Sequence, residues 1–269
     1  MKHKLLLLIS ALLLACSAGA QCPVVNTAFK SGEHLDYDLY FNWKFIWKKV
    51  GTASMKIDAA NYNNKPGYVI DLLTKGSKQA DFFFKMRDTL TCYVSEQLEP
   101  LYFRKASVEG KKYRLSQVWY NYLDSVNVEV SQSFLYCDEP VKCVTDTLQR
   151  PVYDMMSLLA YARTIDFTSL KKGTRLTFPI ATGKRIENQY LVYRDKKRTK
   201  SDHSIVYNCY RVSLITEDDG EEKEIVNFHV TDDKNHLPVL LDLALNFGSA
   251  KAKLLSMDGL LHRISSVAR

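Results

Sequence analysis

The residues with the clearest capacity for chemistry lie around one predicted turn late in the chain. Imidazole and carboxylate groups, which bind metals and transfer protons in many catalytic centres, are combined here in His229, Asp232, Asp233 and His236. A metal site needs ligands that converge on one point, whereas the two histidines belong to flanking strands and leave on different faces. Because Asp and Asn side chains in turns commonly bond their own backbone, the pattern favours a structural hairpin.

Signatures of the common exported hydrolases are absent from the sequence. It contains no G-x-S-x-G, H-E-x-x-H or G-x-x-x-x-G-K-[ST] segment, the motifs of a nucleophile elbow, a zinc protease and a phosphate-binding loop. No catalytic residue and no cofactor can be assigned, and although a novel enzyme stays open, the sequence favours a non-enzymatic role. Asp36 and Asp38 share the polar face of a predicted strand, where we expect simple exposure. The basic run over residues 194–200 lies between predicted strands without interleaved aromatics and indicates a solvated hairpin tip.

Two aromatic groups are the best candidates for contact with an apolar ligand. Their members are Trp43, Phe45, Trp47, Phe82, Phe83 and Phe84. Such residues more often fill a core than form a ligand platform. If the protein holds an apolar ligand, however, these rings and two methionines of the predicted helix are the residues we expect to line its site. The candidate ligand-binding residues are therefore Trp43, Trp47, Phe82, Phe84, Met155 and Met156.

That helix, predicted over residues 151–163, is the only long helical pattern after the N-terminus. Pro151 suits the first helical position, and Asp154 lies near the positive end of the helix dipole. The polar residues form one narrow stripe of Asp154, Ser157, Tyr161 and Thr164. A helix that is apolar over most of its circumference is normally buried, so we expect it to pack inside the fold or across its opening.

The rest of the chain alternates as β-strands do. Residues 35, 37, 39 and 41 are apolar or aromatic and alternate with polar positions, which is typical of a half-buried antiparallel strand. Residues 80–87 interrupt the alternation, and a helical turn there could cover one end of the sheet. Strand-and-turn units follow one another about every 8 to 15 residues, a spacing typical of all-β folds. With no linker and no internal repeat, residues 21–269 are predicted to form a single β-rich domain.

The N-terminal residues predict export. A basic start at residues 1–4, an apolar run over residues 5–15 and the small residues Ala18-Gly19-Ala20 together form a secretory signal peptide over residues 1–20. The mature chain would begin at Gln21. A competing interpretation takes Leu13-Leu14-Ala15-Cys16 as a lipobox with a lipidated cysteine, although Leu14 fits that motif poorly. Both place the protein outside the cytoplasm.

Export changes how the cysteines are interpreted. Cys22, Cys92, Cys137, Cys143 and Cys209 would remain after cleavage, an odd number in an oxidising compartment. Cys137 and Cys143 bracket a loop that contains Pro140 and form the best disulfide pair. Two free buried thiols are the alternative, and a metal site is the weakest one because no second ligand pair accompanies them. The pairing of the other three cysteines stays open.

Composition narrows the class of protein further. A hydrophobic content of 46% with 12% aromatics suffices for a core. The net charge is +7, but the lysines and arginines are interspersed with acidic residues along the whole chain rather than gathered beside aromatic residues. This distribution disfavours nucleic acid as a partner. No stretch after the N-terminus approaches the roughly 20 apolar residues of a membrane-spanning helix.

Three stretches together resemble an exported bacterial family called domain of unknown function 3108. The stretches are Phe29–Glu33 with the strand and Val50-Gly51 after it, Pro151–Tyr161, and Val230–Val239. Their order and spacing cover nearly the whole mature chain. The resemblance implies an exported, largely β protein of the Gram-negative envelope. Together with the signal peptide it predicts a periplasmic location, and association with the outer membrane stays open. It implies no activity and no catalytic residue.

We therefore expect an all-β fold: a large, curved antiparallel sheet, forming a barrel or half-barrel, with one buried central helix. The leading functional hypothesis is a non-enzymatic envelope protein that binds an apolar or lipid-like ligand, or an envelope protein partner, in the concave face of the sheet. A structural scaffold with a filled core and an enzyme that modifies glycans or lipids are the alternatives.

Overall fold

Strands dominate the computed structural model, which describes residues 24–268 except 44–45, 84, 150, 219 and 245–247. The strands are β1 (Glu33–Trp43), β2 (Ile46–Tyr62), β3 (Lys65–Gly76), β4 (Met86–Ser95), β5 (Pro100–Glu109), β6 (Lys112–Tyr122), β7 (Val128–Tyr136), β8 (Lys142–Leu148), β9 (Arg175–Ala181), β10 (Ile186–Lys200), β11 (Val206–Asp218), β12 (Glu221–Thr231), β13 (Pro238–Ala244) and β14 (Ser249–Asp258). The helices are α1 (Lys78–Phe83), α2 (Met155–Ala162) and a 3-10 turn at Phe167–Ser169.

All fourteen strands belong to one antiparallel sheet. Its order is β8-β7-β6-β5-β4-β3-β2-β1-β14-β13-β12-β11-β10-β9. The first and last strands therefore pair with each other in the middle of the order, and the two edges are β8 and β9, which precede and follow helix α2 in the chain. The prediction of an all-β fold with a large antiparallel sheet is confirmed. The two edge strands do not pair with each other within the described residues, so the sheet is open.

The two edges are nevertheless connected through neighbouring segments. Tyr153, just before α2, forms a parallel bridge with Ile180 on β9. At the turn after β9, the amide of Gly183 donates to Oε1 of Gln132 on β7 at 3.0 Å. Gly183 has a φ of +88°, and a Cβ there would lie 2.5 Å from Cβ of Ser116 on β6. Glycine is required because of both its backbone conformation and this close approach, which brings the β9–β10 turn against β6 and β7.

Helix α2 begins later than predicted. Its N-cap is Asp154, whose carboxylate accepts from the amides of Met156 and Ser157, while the amide of Asp154 donates to the Ser157 hydroxyl at 2.9 Å. This reciprocal cap satisfies amides at the start of the helix, so Pro151 lies before the helix rather than at its first position. The prediction of one helix is also incomplete, because α1 is a second one near the expected helical turn at residues 80–87.

The two faces of helix α2 pack against two hydrophobic clusters. Met156 and Ala160 join a cluster with inward-facing residues of β1 to β7. Leu158 joins a second cluster that includes Phe178 on β9 and Tyr210 on β11. The predicted polar stripe is partly in the interior, since Asp154 and Ser157 are fully buried, whereas Met155 is 48% exposed. The cap explains why Asp154 and Ser157 can be buried, because it satisfies polar groups that burial would otherwise leave unpaired.

Candidate functional site

Of the six predicted ligand-binding residues, the structure describes the side chains of Trp47, Met155 and Met156, and it places these three in different surroundings. Met156 is buried in the core, whereas Met155 is exposed and does not face the sheet. Trp47 lies on β2 and is 40% exposed, with the ammonium of Lys251 4.4 Å from its ring centroid. The side chains of Trp43 and Phe82, and the whole of Phe84, lie outside the described residues. Side chains of the two core clusters pack against α2 on both sides. They occupy the positions beside the helix where we expected an apolar ligand.

The predicted disulfide between Cys137 and Cys143 is not present in the structure, in which both thiols are free. Register explains the difference. Cys143 on β8 lies opposite Ser133 on β7, and Cys137 is four residues farther along, in the hairpin turn. Four residues of strand span about 13 Å, well beyond the roughly 7 Å between α-carbons that a disulfide tolerates. Cys92 and Cys209 are also free and are buried.

Side chains around the β12–β13 turn form hydrogen bonds with one another and with the backbone of the turn. The carboxylate of Asp233 accepts from Thr231 and Asn235 in the turn region and from Ser266 in the C-terminal segment. His229 instead forms a hydrogen bond with Thr199, with 2.7 Å between its Nδ1 and the threonine hydroxyl. Burial lowers the pKa of its imidazole to about 4. In the part of the chain that the structure describes, no group of three His, Cys, Asp or Glu side chains could hold a metal ion.

A buried ion pair joins the C-terminal end of α2 to the start of β1. The guanidinium of Arg163 donates to both carboxylate oxygens of Glu33 at 2.5 and 2.9 Å, and the two side chains are 1% and 0% exposed. Arg163 also donates to the carbonyls of Asn235 at 3.1 Å and Ala28 at 3.4 Å. A cation at a helix C-terminus is favourable, and this one ties the helix to two distant parts of the chain.

The same junction includes His236 of the β12–β13 turn. Its Nδ1 lies 2.7 Å from the carbonyl of Arg163, and burial lowers the pKa of the imidazole. Glu33, the end of helix α2 and the turn at residues 232–236 therefore meet at one point. Sequence reasoning missed this junction because its members are about 70 to 130 residues apart, and no local pattern pairs a strand glutamate with a helix arginine.

At the other end of α2, Asp154 forms a second buried polar cluster. Its carboxylate lies 3.5 Å from the thiol of Cys92 on β4 and 3.4 Å from the hydroxyl of Tyr120 on β6. Burial raises the pKa of Asp154 and raises that of Cys92 well above its ordinary value. A carboxyl, a thiol and a phenol resemble catalytic groups, but all three side chains are buried, so a substrate cannot contact them in this conformation.

An accessible candidate site lies where β2, β3, β4 and helix α1 meet. It is a cleft of about 430 Å³ lined by cationic side chains from all four elements. Those side chains are Lys49, Lys75, Lys78 and Arg87. Asp81 contributes the one carboxylate of the lining. Its two oxygens accept from the Arg87 guanidinium, one of them at 2.8 Å; this hydrogen bond is the main cause of the lowered pKa of Asp81.

Two glycines make room for this cleft. Gly51 on β2 pairs with Gly76 on β3. A Cβ at Gly51 would lie 2.3 Å from the carbonyl oxygen of Lys75, and one at Gly76 would lie 2.6 Å from Oδ1 of Asp81. Both distances are far below van der Waals contact, so larger residues would displace the backbone or the Asp81–Arg87 pair.

Behind the cleft lies a buried carboxylate that the sequence analysis placed at the surface. Asp38 is 2% exposed and accepts from the ammonium of Lys49. Its Oδ1 has no hydrogen-bond partner among the described residues. The prediction that Asp38 is exposed is wrong. Alternation alone assigns this position to solvent, but Lys49 on the neighbouring strand covers it. The cleft itself gave no sequence signal, since its cations are spread over residues 49–87 without a motif.

The fold defines the class of this protein as an all-β protein built on one open antiparallel sheet. A solved structure with a similar fold is described as a beta-barrel-like protein of domain of unknown function DUF1849 from Brucella abortus. It is 12% identical, with a TM-score of 0.55, and the match covers 87% of this chain and 100% of that one. The likeness concerns the fold alone.

The family follows from the sequence. The profile of the family described as "Protein of unknown function (DUF3108)" matches residues 36–255, so the chain belongs to this family, which confirms the resemblance. No curated protein matches the chain. Among the described residues, no helix is both long enough and apolar enough to cross a membrane.

Proposed function

We propose that this protein is an exported envelope protein that binds a lipid-like ligand with an anionic headgroup in the cleft between β2, β3, β4 and α1. The observation that carries the proposal is the charge of the cleft. Four cationic side chains line it against one carboxylate, and even with Asp38 counted the group retains a net charge of +2. Lysine and arginine are the side chains that bind phosphate groups, as point charges and as bidentate donors respectively.

The size and surroundings of the cleft suit an amphiphile. Its volume of about 430 Å³ lies within the range of small-ligand pockets, about 300 to 1,000 Å³. Helix α1 supplies Lys78 and Asp81 to the lining and continues with Phe82 and Phe83. In the sequence, apolar residues thus directly follow the charged ones, an arrangement suited to a headgroup with attached acyl chains.

This proposal moves the predicted ligand site from the concave face to the rim of the sheet. Residues of both hydrophobic clusters flank α2, which favours a filled interior over an internal ligand cavity. The same observation supports the second candidate, a structural scaffold. The two candidates differ in one property, because a scaffold needs no affinity for anions in the cleft.

Binding to vesicles tests the proposal. The purified protein should sediment with vesicles that contain phosphatidylglycerol and remain in solution with pure phosphatidylcholine, and added salt should weaken the binding. Lys75→Glu with Lys78→Glu should abolish sedimentation. The matched control, Lys56→Glu with Lys234→Glu, makes the same change in net charge at two exposed lysines outside the cleft lining and should retain it.

Competition then identifies which part of the lipid is bound. Soluble glycerol phosphate should reduce sedimentation if the headgroup occupies the cleft, whereas inorganic phosphate should compete as well as glycerol phosphate if only the phosphate is recognised. Equal loss of binding in the cleft variant and the control, or equal binding to neutral and anionic vesicles, would refute the proposal and leave the scaffold.

A further inference from the structure

Strand β8 is an edge strand with an open side. One side pairs with β7 without a register shift, from Val128 opposite Leu148 to Phe134 opposite Lys142. Its other side pairs with no strand in the part of the chain described by the structure. Five of its seven residues are exposed. Proteins commonly protect such edges with bulges, prolines or covering segments, and β8 contains neither a bulge nor a proline.

Among the described residues, a main-chain bridge occupies part of the opposite edge of the sheet, whereas none is formed on the open side of β8. Tyr153 occupies part of the β9 edge through its bridge with Ile180, and the turn after β9 contacts β7 through Gly183 and Gln132. Lys184 of that turn lines a pocket together with Lys142 and Val144 of β8, but no described segment pairs with the open side of the strand. The main-chain groups on the open side of β8 remain available to a strand from another molecule.

The sequence of β8 is complementary to itself in one antiparallel register. Successive side chains alternate between the two faces of a strand, so Lys142, Val144 and Asp146 share one face, and Cys143 and Thr145 share the other. With Val144 opposite its own copy, Lys142 of each chain lies opposite Asp146 of the other. Moving the centre by one residue, to Cys143 or Thr145, removes both ion pairs.

We propose that two copies of this protein associate through their β8 strands, antiparallel and centred on Val144, and form a twofold dimer with one continuous sheet. The same patch serves both copies, as a twofold interface requires, and main-chain hydrogen bonds provide the pairing, as in β-strand addition. Two Lys142–Asp146 pairs set the register. The β8 edge shares no residue with the cationic cleft. The dimer can therefore be tested independently of the proposed ligand.

A charge swap tests the pairing. The purified protein should be a concentration-dependent dimer in sedimentation velocity. Lys142→Asp places two carboxylates opposite each other at both ends of the paired segment, and should weaken association by at least about tenfold, because like charges directly opposite destabilise strand pairing. Lys142→Asp with Asp146→Lys should restore the dimer, whereas Lys56→Asp, away from the edge, should leave it unchanged. Circular dichroism of each variant confirms that the sheet is intact.

Cross-linking tests the register. Directly opposite residues in antiparallel strands have α-carbons about 4.5 to 5.5 Å apart, a distance that a disulfide spans. Thr145→Cys should therefore form a disulfide with Cys143 of the second copy under mild oxidation, and the covalent dimer should appear on a non-reducing gel. Thr147→Cys lies on the same face but two residues away and should cross-link far less.

Each other outcome counts against the proposal. A wild-type protein that stays monomeric at high micromolar concentration refutes the dimer. A charge swap that fails to restore association, or cross-linking that is as strong with Thr147→Cys, refutes this register and with it the proposed role of the Lys142–Asp146 pairs.

Discussion

Replacement of Arg163 by methionine should be among the most damaging single changes in this protein. The variant keeps an unbranched apolar side chain but removes both hydrogen bonds to Glu33, at 2.5 and 2.9 Å, and leaves that carboxylate 0% exposed without its cation. Breaking a buried ion pair by removing one partner typically costs about 3 to 5 kcal/mol. A loss of that size is a large fraction of the stability of an ordinary domain, about 5 to 15 kcal/mol.

Urea denaturation followed by circular dichroism measures this cost. Arg211→Met is the matched control, because Arg211 also pairs through two hydrogen bonds, with Asp195, but both side chains are about one-third exposed. Exposed pairs of this kind contribute about 0 to 1 kcal/mol. The double variant Arg163→Met with Glu33→Met should recover part of the loss, since two apolar side chains leave no buried charge unpaired.

The comparison decides whether the junction holds the helix in place. If Arg163→Met lowers the free energy of unfolding no more than Arg211→Met does, the buried pair contributes little, and the argument that it anchors α2 to β1 and the β12–β13 turn is refuted. A double variant that is less stable than Arg163→Met alone would show that packing, rather than the unpaired charge, dominates the cost.

Three further predictions concern burial, protonation and export. Met156→Ala should lower the free energy of unfolding by about 2 to 5 kcal/mol, whereas Met155→Ala on the exposed side should change it by less than about 0.5 kcal/mol; equal effects in chemical denaturation would contradict the observed orientation of α2. Because the pKa of folded His229 is lowered to about 4 from an unfolded value of about 6.5, folding stability should fall as pH decreases from about 6.5 towards 4. His229→Gln should show a smaller fall, and urea midpoints that change in parallel for both proteins would refute this. Mass spectrometry of protein from its native cells should find Gln21 as the N-terminus, and a lipidated Cys16 would overturn that prediction.

The sheet was predictable from the sequence because its information is local. Alternation within each strand and turn residues between strands indicate antiparallel neighbours, and twelve of the thirteen pairings observed join consecutive strands. The thirteenth, between β1 and β14, joins the first and last strands and had no local signal. The start of α2 was harder to place. Proline at the first helical position and aspartate as N-cap are both good signals of a helix start. Their order in the chain does not show at which of the two the helix begins. The structure shows the carboxylate of Asp154 capping the helix, three residues after Pro151.

The candidate sites were not predictable for a different reason. The cationic cleft combines side chains from two strand starts, one strand end and a short helix, and only the paired glycines and the register of β2 with β3 bring them together. The absence of the predicted disulfide also follows from strand register, which the sequence does not show directly. Proximity of Cys137 and Cys143 in sequence suggested a closed loop, but strand pairing continues past Cys143 to Lys142 and holds the two cysteines apart.

The three stretches that resemble the family hold or adjoin the residues of the buried junction at the end of α2. Glu33 belongs to the first stretch, Arg163 follows the second by two residues, and Asn235 and His236 belong to the third. These residues meet in the junction at the end of α2, where Glu33, Arg163 and Asn235 are buried. The recognisable pattern therefore specifies how the helix is held against the sheet. Lys75 and Lys78 of the cleft lie outside all three stretches, so a shared fold in this family does not by itself imply a shared ligand, and the vesicle experiment must be repeated for each member.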